Sequence, residues 1–197
     1  MFLEQGPGGS TIDIAKRAGV SEGLLFKRFE TKDRLFFLSM GVEGRPHWID
    51  LLDQMAGEGA LPANLVRLEL ELIAFFRELI PRMTMLWSSK CSPIEAMQSA
   101  DEPPPILALK GLTRFLEREA KDGRLRAGSA PIAARVLLAS AQSYAFFEMI
   151  GLRSAGSLRK GAAGVTLPAD VFAKGLVEML WQGIAPGPAG AKKRGRG

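Results

Sequence analysis

Residues 10 to 40, STIDIAKRAGVSEGLLFKRFETKDRLFFLSM, carry three hydroxyl residues that can start helices and one glycine that can stop one. No other stretch constrains the fold as strongly. Ser10 followed by Asp13 is a variant of the capping box: the serine oxygen accepts from an early backbone N–H, and the acid sits at the positive helix end. Ile14, Ala15 and Ala18 then fall on one apolar face at helical spacing. Gly19 stops this helix, because glycine reaches the positive φ that a helix terminus needs. Val20 is expected to plug the core beneath the turn. Ser21 starts a second helix with Leu25 and Phe29 facing inward. Thr31 starts a third, with Leu35 and Leu38 on its buried side.

A short helix, a tight glycine turn and a second short helix form the geometry that lays a helix in the DNA major groove. Residues near the start of the second helix then face base edges: Ser21, Glu22, Gly23 and Leu24, with Phe26 a further DNA-binding candidate. Ser10 and Thr11 open the preceding helix beside them. Lys27 and Arg28 reach phosphates, and Lys32 places an ammonium beside the free N–H groups of the third helix.

The segment resembles the helix-turn-helix of the tetracycline-repressor (TetR) family, whose pattern is similar to I-A-x-x-A-G-V-S-x-x-T-L-Y-x-H-F-x-x-K-x-x-L. Ile14, Ala15, Ala18, Gly19, Val20, Ser21, Leu25, Phe29, Lys32 and Leu35 match it without a gap. Leu24, Phe26 and Arg28 stand where the pattern has threonine, tyrosine and histidine. Leucine can pack on a thymine methyl, phenylalanine gives up a donor to phosphate, and arginine keeps a phosphate contact. The family's first helix runs about four turns, and Met1 to Gly6 resembles only its end. On that reading Ile14, Leu25 and Phe29 are expected to be exposed, and either the start codon is expected to lie upstream of Met1 or the chain is a truncated one.

Beyond residue 45 the pattern is helical throughout, so the expected fold class is all-α. Residues 1–45 are read as the DNA-binding domain, 46–186 as a helical ligand-binding and dimerisation domain, and 187–197 as a disordered basic tail. Pro62 to Ile80 carries Leu65, Leu68, Leu72, Phe75, Phe76 and Leu79 at helix spacing, with Pro81 as terminator. Further helices are predicted over 93–100, from the Pro103 to Pro105 run to about Asp122 with Gly123 as cap, from Pro131 to Ile150 with Gly151 closing it, and from Pro168 to about Ile184. A glycine-rich loop is predicted over 154–166. The phrases from Asp122 to Arg126 and from Leu176 to Gly183 also resemble the TetR family. That resemblance implies a homodimer through 131–151 and 168–184, which are rich in small and apolar residues such as Ala139, Ala141, Ala145, Phe146, Val171, Ala173 and Met179.

The resemblance also implies a pocket for a small apolar effector. Phe75, Phe76, Met83, Met85, Trp87, Phe115, Tyr144 and Phe147 are its candidate lining, although any one such residue is more often plain core. Arg114, Arg135 and Gln142 are candidates to orient a polar group.

Composition narrows the alternatives. The 197 residues are 47% hydrophobic and 24% charged, as in a globular protein. Lys192, Lys193, Arg194 and Arg196 supply four of the five net positive charges, so charge alone does not argue for DNA. No stretch is apolar for long enough to span a bilayer. A single cysteine, Cys91, and no visible secretory signal lead us to expect a cytoplasmic protein. His47 is the only histidine, so no metal or cofactor is expected. Cys91 is read as an incidental thiol, and Glu69, Glu71, Glu78, Glu117 and Glu119 as solvated helix faces paired with Arg67, Arg77 and Arg118. Little remains from which to build an enzyme. Two readings stand: a ligand-responsive dimeric regulator, expected to be a repressor on a palindromic operator, and a dimeric ligand-binding protein without competent DNA binding.

Overall fold

The local signals in the N-terminal segment act as their chemistry requires. In the structure, a computed structural model describing residues 2–42, 45–89, 102–153 and 167–187, a short helix α1 (Phe2–Gln5) and a 3-10 turn (Gly6–Gly8) lead into α2 (Thr11–Ala18). Ser10 caps α2 by accepting from the Asp13 N–H at 3.3 Å. Gly19 closes α2 at φ +69°, in the left-handed region. Ser21 caps α3 (Glu22–Phe29), accepting from Leu24 N–H at 3.1 Å, and Thr31 caps α4 (Lys32–Ser39), accepting from Arg34 N–H at 3.1 Å.

Among the described residues every regular element is helical. After α4 come α5 (Ile49–Met55), α6 (Leu61–Trp87), α7 (Pro104–Lys121), α8 (Ala130–Arg153) and α9 (Ala169–Ile184). They divide into two compact units, one drawn from residues 1–45 and 77–106, the other from 46–76 and 107–197. α6 contributes its first part to the second unit and its last part to the first.

In the first unit Phe2, Ala15, Leu25, Leu35, Phe36, Phe37, Met40, Val42 and Leu86 form the core, with Ile14, Phe29, Leu79, Met83 and Met85 packed against it. The Phe2 ring meets Phe36 edge to face at 5.1 Å. Leu25 is therefore buried, and Ile14 and Phe29 are half-buried rather than exposed. Phe2 and Leu86, from the start of the chain and the end of α6, belong to the core that these residues join. Two inward assignments fail: Val20 and Leu38 are exposed. On α4 the buried side belongs to Leu35, Phe36 and Phe37, because two adjacent aromatics outweigh a single leucine in buried area.

α6 also corrects the reading of Pro81 as a terminator, since the helix continues through it to Trp87. A proline inside a helix costs about 3 kcal/mol. Leu79, Met83 and Leu86 continue the apolar stripe past it, with Leu86 fully buried. Burying each such side chain is worth about 1.5–3 kcal/mol, so the stripe carries the helix on. Gly151 likewise does not close α8, which reaches Arg153.

The second unit is a helical bundle around Trp48, Leu52, Leu65, Leu68, Leu72, Ile73, Leu112, Phe115, Leu116 and Leu137. Ala133, Ala134 and Ala141 are fully buried on α8, and their small side chains admit close helix approach. Gly123, at φ +72°, ends α7, and the chain folds back with Arg124 N–H donating to Glu119 O at 2.9 Å. A buried ion pair locks this turn. Arg124 Nε lies 3.1 Å from Glu119 Oε2, while Glu119 Oε1 accepts from Gly57 N–H at 2.8 Å. Arg124 Nη2 also donates to the carbonyls of Glu58 and Gly59 at 3.0 and 2.7 Å. α9 is fastened at both ends: Arg126 N–H donates to Ile184 O at 2.7 Å, and the Tyr144 hydroxyl donates to Leu167 O at 2.6 Å.

The glutamates divide unexpectedly. Glu69 and Glu119 are fully buried. Glu78 pairs with Arg82, and Arg118 with Asp53, each at 3.1 Å. Glu69 lies one turn from Leu65 and Leu72 on the apolar stripe, which is why it is drawn inside. The Ser140 hydroxyl lies 3.0 Å from Glu69 Oε1, 2.6 Å from Val136 O and 3.0 Å from Leu137 O. Burial pushes the Glu69 carboxyl up to about 8, the contact from Ser140 pulling the other way. Among the described residues no helix is long and apolar enough to cross a membrane. The segments 93–100 and 154–166, Cys91 and residues 188–197 lie outside the described residues.

Candidate nucleic-acid interface

α3 presents its faces in a fixed order, because successive residues turn by about 100°. Leu25 is buried and Phe29 half-buried, so this side anchors the helix to the core. Gly23 and Lys27 lie on the opposite side and are exposed. Leu24 and Phe26 flank them and are exposed to 54% and 37%. The face is thus a glycine and a lysine bordered by a leucine and a phenylalanine.

Around it, the polar candidates are partly committed. The Thr11 hydroxyl donates to Glu22 Oε1 at 2.6 Å, a short charge-assisted bond joining the starts of α2 and α3. Ser10 and Ser21 use an oxygen lone pair each in capping. Arg28 lies over the Phe29 ring, 5.8 Å from its centroid, which keeps its cation at the edge of the helix. Lys32 is the first residue of α4 and half-buried, where it adds a cation to the unbonded N–H groups of that turn. Ser10, Thr11, Ser21, Glu22, Gly23, Leu24, Phe26, Lys27, Arg28 and Lys32 therefore all fall in α2, α3, their caps and the first residue of α4, within the first unit.

The candidate effector residues are dispersed. Phe75 and Phe76 lie ring to ring at 5.3 Å and, with Tyr144, pack against the core of the second unit, of which Phe115 is itself a buried member. Met83 and Met85 pack against the other core, in the first unit. Trp87 and Phe147 are exposed. Arg114, Arg135 and Gln142 are exposed as well. His47 is exposed, its ring 6.0 Å from Phe75. No group of three or more His, Cys, Asp or Glu among the described residues could hold a metal. The two predicted dimer helices, α8 and α9, leave Ile132, Phe146, Phe147, Ile150, Val171 and Met179 exposed.

Two short capped helices about a left-handed glycine, the second with an exposed and partly cationic face, define a helix-turn-helix protein. Residues 1–38 match the family described as bacterial regulatory proteins, tetR family. Solved structures share its fold. A protein assigned to the TetR-family transcriptional regulators of Mesorhizobium loti superposes with a TM-score of 0.71 at 19% identity, covering 93% of this chain and 91% of its own. NalD, the secondary repressor of the MexAB-OprM multidrug efflux pump in Pseudomonas aeruginosa, gives 0.55 at 21% identity over 93% and 89%. The TetR-family regulator PfmR of Thermus thermophilus gives 0.52 at 16% identity over 92% of each chain. No curated protein sequence matches.

Proposed function

We propose that this protein is a ligand-responsive transcriptional regulator that binds a palindromic operator as a homodimer, acting as a repressor in the cytoplasm. The observation that carries this reading is the exposed face of α3. Its core side is fully used by Leu25 and Phe29, while Gly23, Leu24, Phe26 and Lys27 are left outward beside Arg28 and Lys32. A repressor role is in keeping with the name of the related fold in NalD.

Dimerisation through α8 and α9 is supported by the exposed apolar side chains on both helices, which a symmetric partner would cover. The two-fold axis would present two α3 helices to half-sites about 34 Å apart on the duplex. The effector reading rests on the second unit, where Phe75, Phe76 and Tyr144 are half-buried aromatics packed against the core, and where the buried Glu69 accepts from Ser140. A ligand preferring one of two states of the dimer would shift DNA affinity by that preference alone. The domain assignment of 1–45 to DNA and 46–186 to ligand and dimer belongs to the same proposal.

Footprinting on the DNA flanking the gene tests it. We expect a protected palindrome whose affinity falls steeply with salt. An absence of protection at low salt, with the protein dimeric, would leave the ligand-binding reading as the better one.

A further inference from the structure

We propose that the outward face of α3 selects its DNA by the 5-methyl groups of thymine, received between Leu24 and Phe26 over the bare backbone of Gly23. This rests on the DNA-reading function proposed above and names what that function reads.

Gly23 is the first sign of such a seat. Glycine weakens a helix relative to alanine, and nothing inside the protein asks for it here. A Cβ at this position would meet nothing within 4 Å, and its φ is not in the left-handed region. The bare backbone here leaves room for an object that approaches from outside.

The neighbouring side chains say what that object offers. Leu24 and Phe26 lie on either side of Gly23, both exposed and neither part of the core. Their surfaces are carbon only, so they form no hydrogen bond with a base edge. Glu22 is the residue best placed to read a base amino group, but Oε1 already accepts from Thr11, and that bond draws the acid toward α2. The major groove has one apolar feature, the thymine methyl. Lys27 and Arg28 beside the apolar seat, with Lys32 at the start of α4, supply the positive charge that brings phosphates alongside. Apolar centre and cationic border match a thymine-bearing major groove in apolar character and in charge.

The experiment begins with selection of duplexes from a random pool by the full chain at low salt. Each thymine of the selected site is then replaced by deoxyuridine, which removes the methyl and keeps the pairing. We expect an affinity loss of about fourfold for each methyl seated, confined to a few positions per half-site. Leu24→Ala and Phe26→Ala each abolish the thymine-over-uracil preference at their own positions. Gly23→Ala leaves the thermal transition unchanged or raises it while DNA affinity falls. Lys27→Ala weakens thymine and uracil duplexes alike. If uracil duplexes bind as tightly as thymine duplexes at every position, the methyl reading is overturned while DNA binding stands. If no duplex is enriched, the DNA-reading function fails and this inference with it. A Gly23→Ala protein that binds DNA as tightly as the parent also overturns the seat.

Discussion

The segment from Ser10 to Ser39 and the bundle of α5 to α9 are held together over different distances along the chain. In the first, each helix start is fixed by a hydroxyl bonded to a backbone N–H three residues on, and each bond is exposed. In the second, polar contacts join residues some sixty to seventy apart: part-buried ones link Glu119 with Gly57 and Ser140 with Glu69, and exposed ones link Arg124 with Glu58 and Gly59. Capping bonds in water are individually modest, whereas a buried polar contact is expensive to break because the partner left behind cannot be rehydrated. Damage in the first region should therefore be graded and local, and damage in the second large and shared by all its helices.

The largest break is expected at Glu119. Glu119→Ala strands Arg124 and the Gly57 N–H, and should lower stability by about 3–5 kcal/mol in urea denaturation. A loss below about 1 kcal/mol would mean that the turn after α7 does not depend on this pair. Glu69→Gln comes next and has the opposite sign. The folded carboxyl, raised to about 8, lies above its ordinary value of 4.5. Its contribution to stability is whole below about pH 4.5, declines as pH rises, and is lost through about pH 8. The glutamine does not titrate, so at pH 8 the variant should be the more stable by on the order of 4 kcal/mol, and the two should converge near pH 4.5. Parallel stability curves for the two proteins would contradict an acid held neutral by burial.

Smaller effects are expected in the N-terminal region. Ser21→Ala removes the cap of α3 and should cost about 1 kcal/mol, read as faster amide exchange in α3 with the second unit unchanged. A change spread over the whole chain would erase the distinction between the regions. The smallest effect sharpens the comparison within the second unit. Arg118 and Asp53 lie at the same 3.1 Å as Arg124 and Glu119, but with side chains 51% and 72% exposed against 22% and 0%. Asp53→Asn should change stability by no more than about 0.5 kcal/mol. Two ion pairs of equal length would then differ severalfold, through burial and through the Gly57 N–H that Glu119 also holds.

The same contrast of scale governs what was legible in the sequence. Ser10, Gly19, Ser21 and Thr31 announce their roles within three or four residues, and the structure gives each of them that role. The all-helical class follows from periodicity, and so does the buried stripe of Leu65, Leu68 and Leu72. What failed depended on partners far away in the chain. Pro81 would end an isolated helix, and it does not end α6 because Leu86 has a core to enter. Glu69 and Glu119 look like surface acids by type, although their register on apolar stripes placed them inside. The effector candidates, chosen for being aromatic or sulfur-bearing, were divided between two cores, because residue type says nothing about which core a side chain joins. The α3 face was legible apart from the Thr11–Glu22 bond, which links residues whose adjacency depends on the turn between them.

That bond constrains how such a protein can diverge. Changing Glu22 alone leaves the Thr11 hydroxyl without its acceptor, and changing Thr11 alone frees an acid to swing toward phosphate. Either single step alters both the joint between α2 and α3 and the charge beside it. Substitutions at 11 and 22 are therefore expected to be inherited as a pair, while Leu24 and Phe26, which lie outside the core, are free to change one at a time.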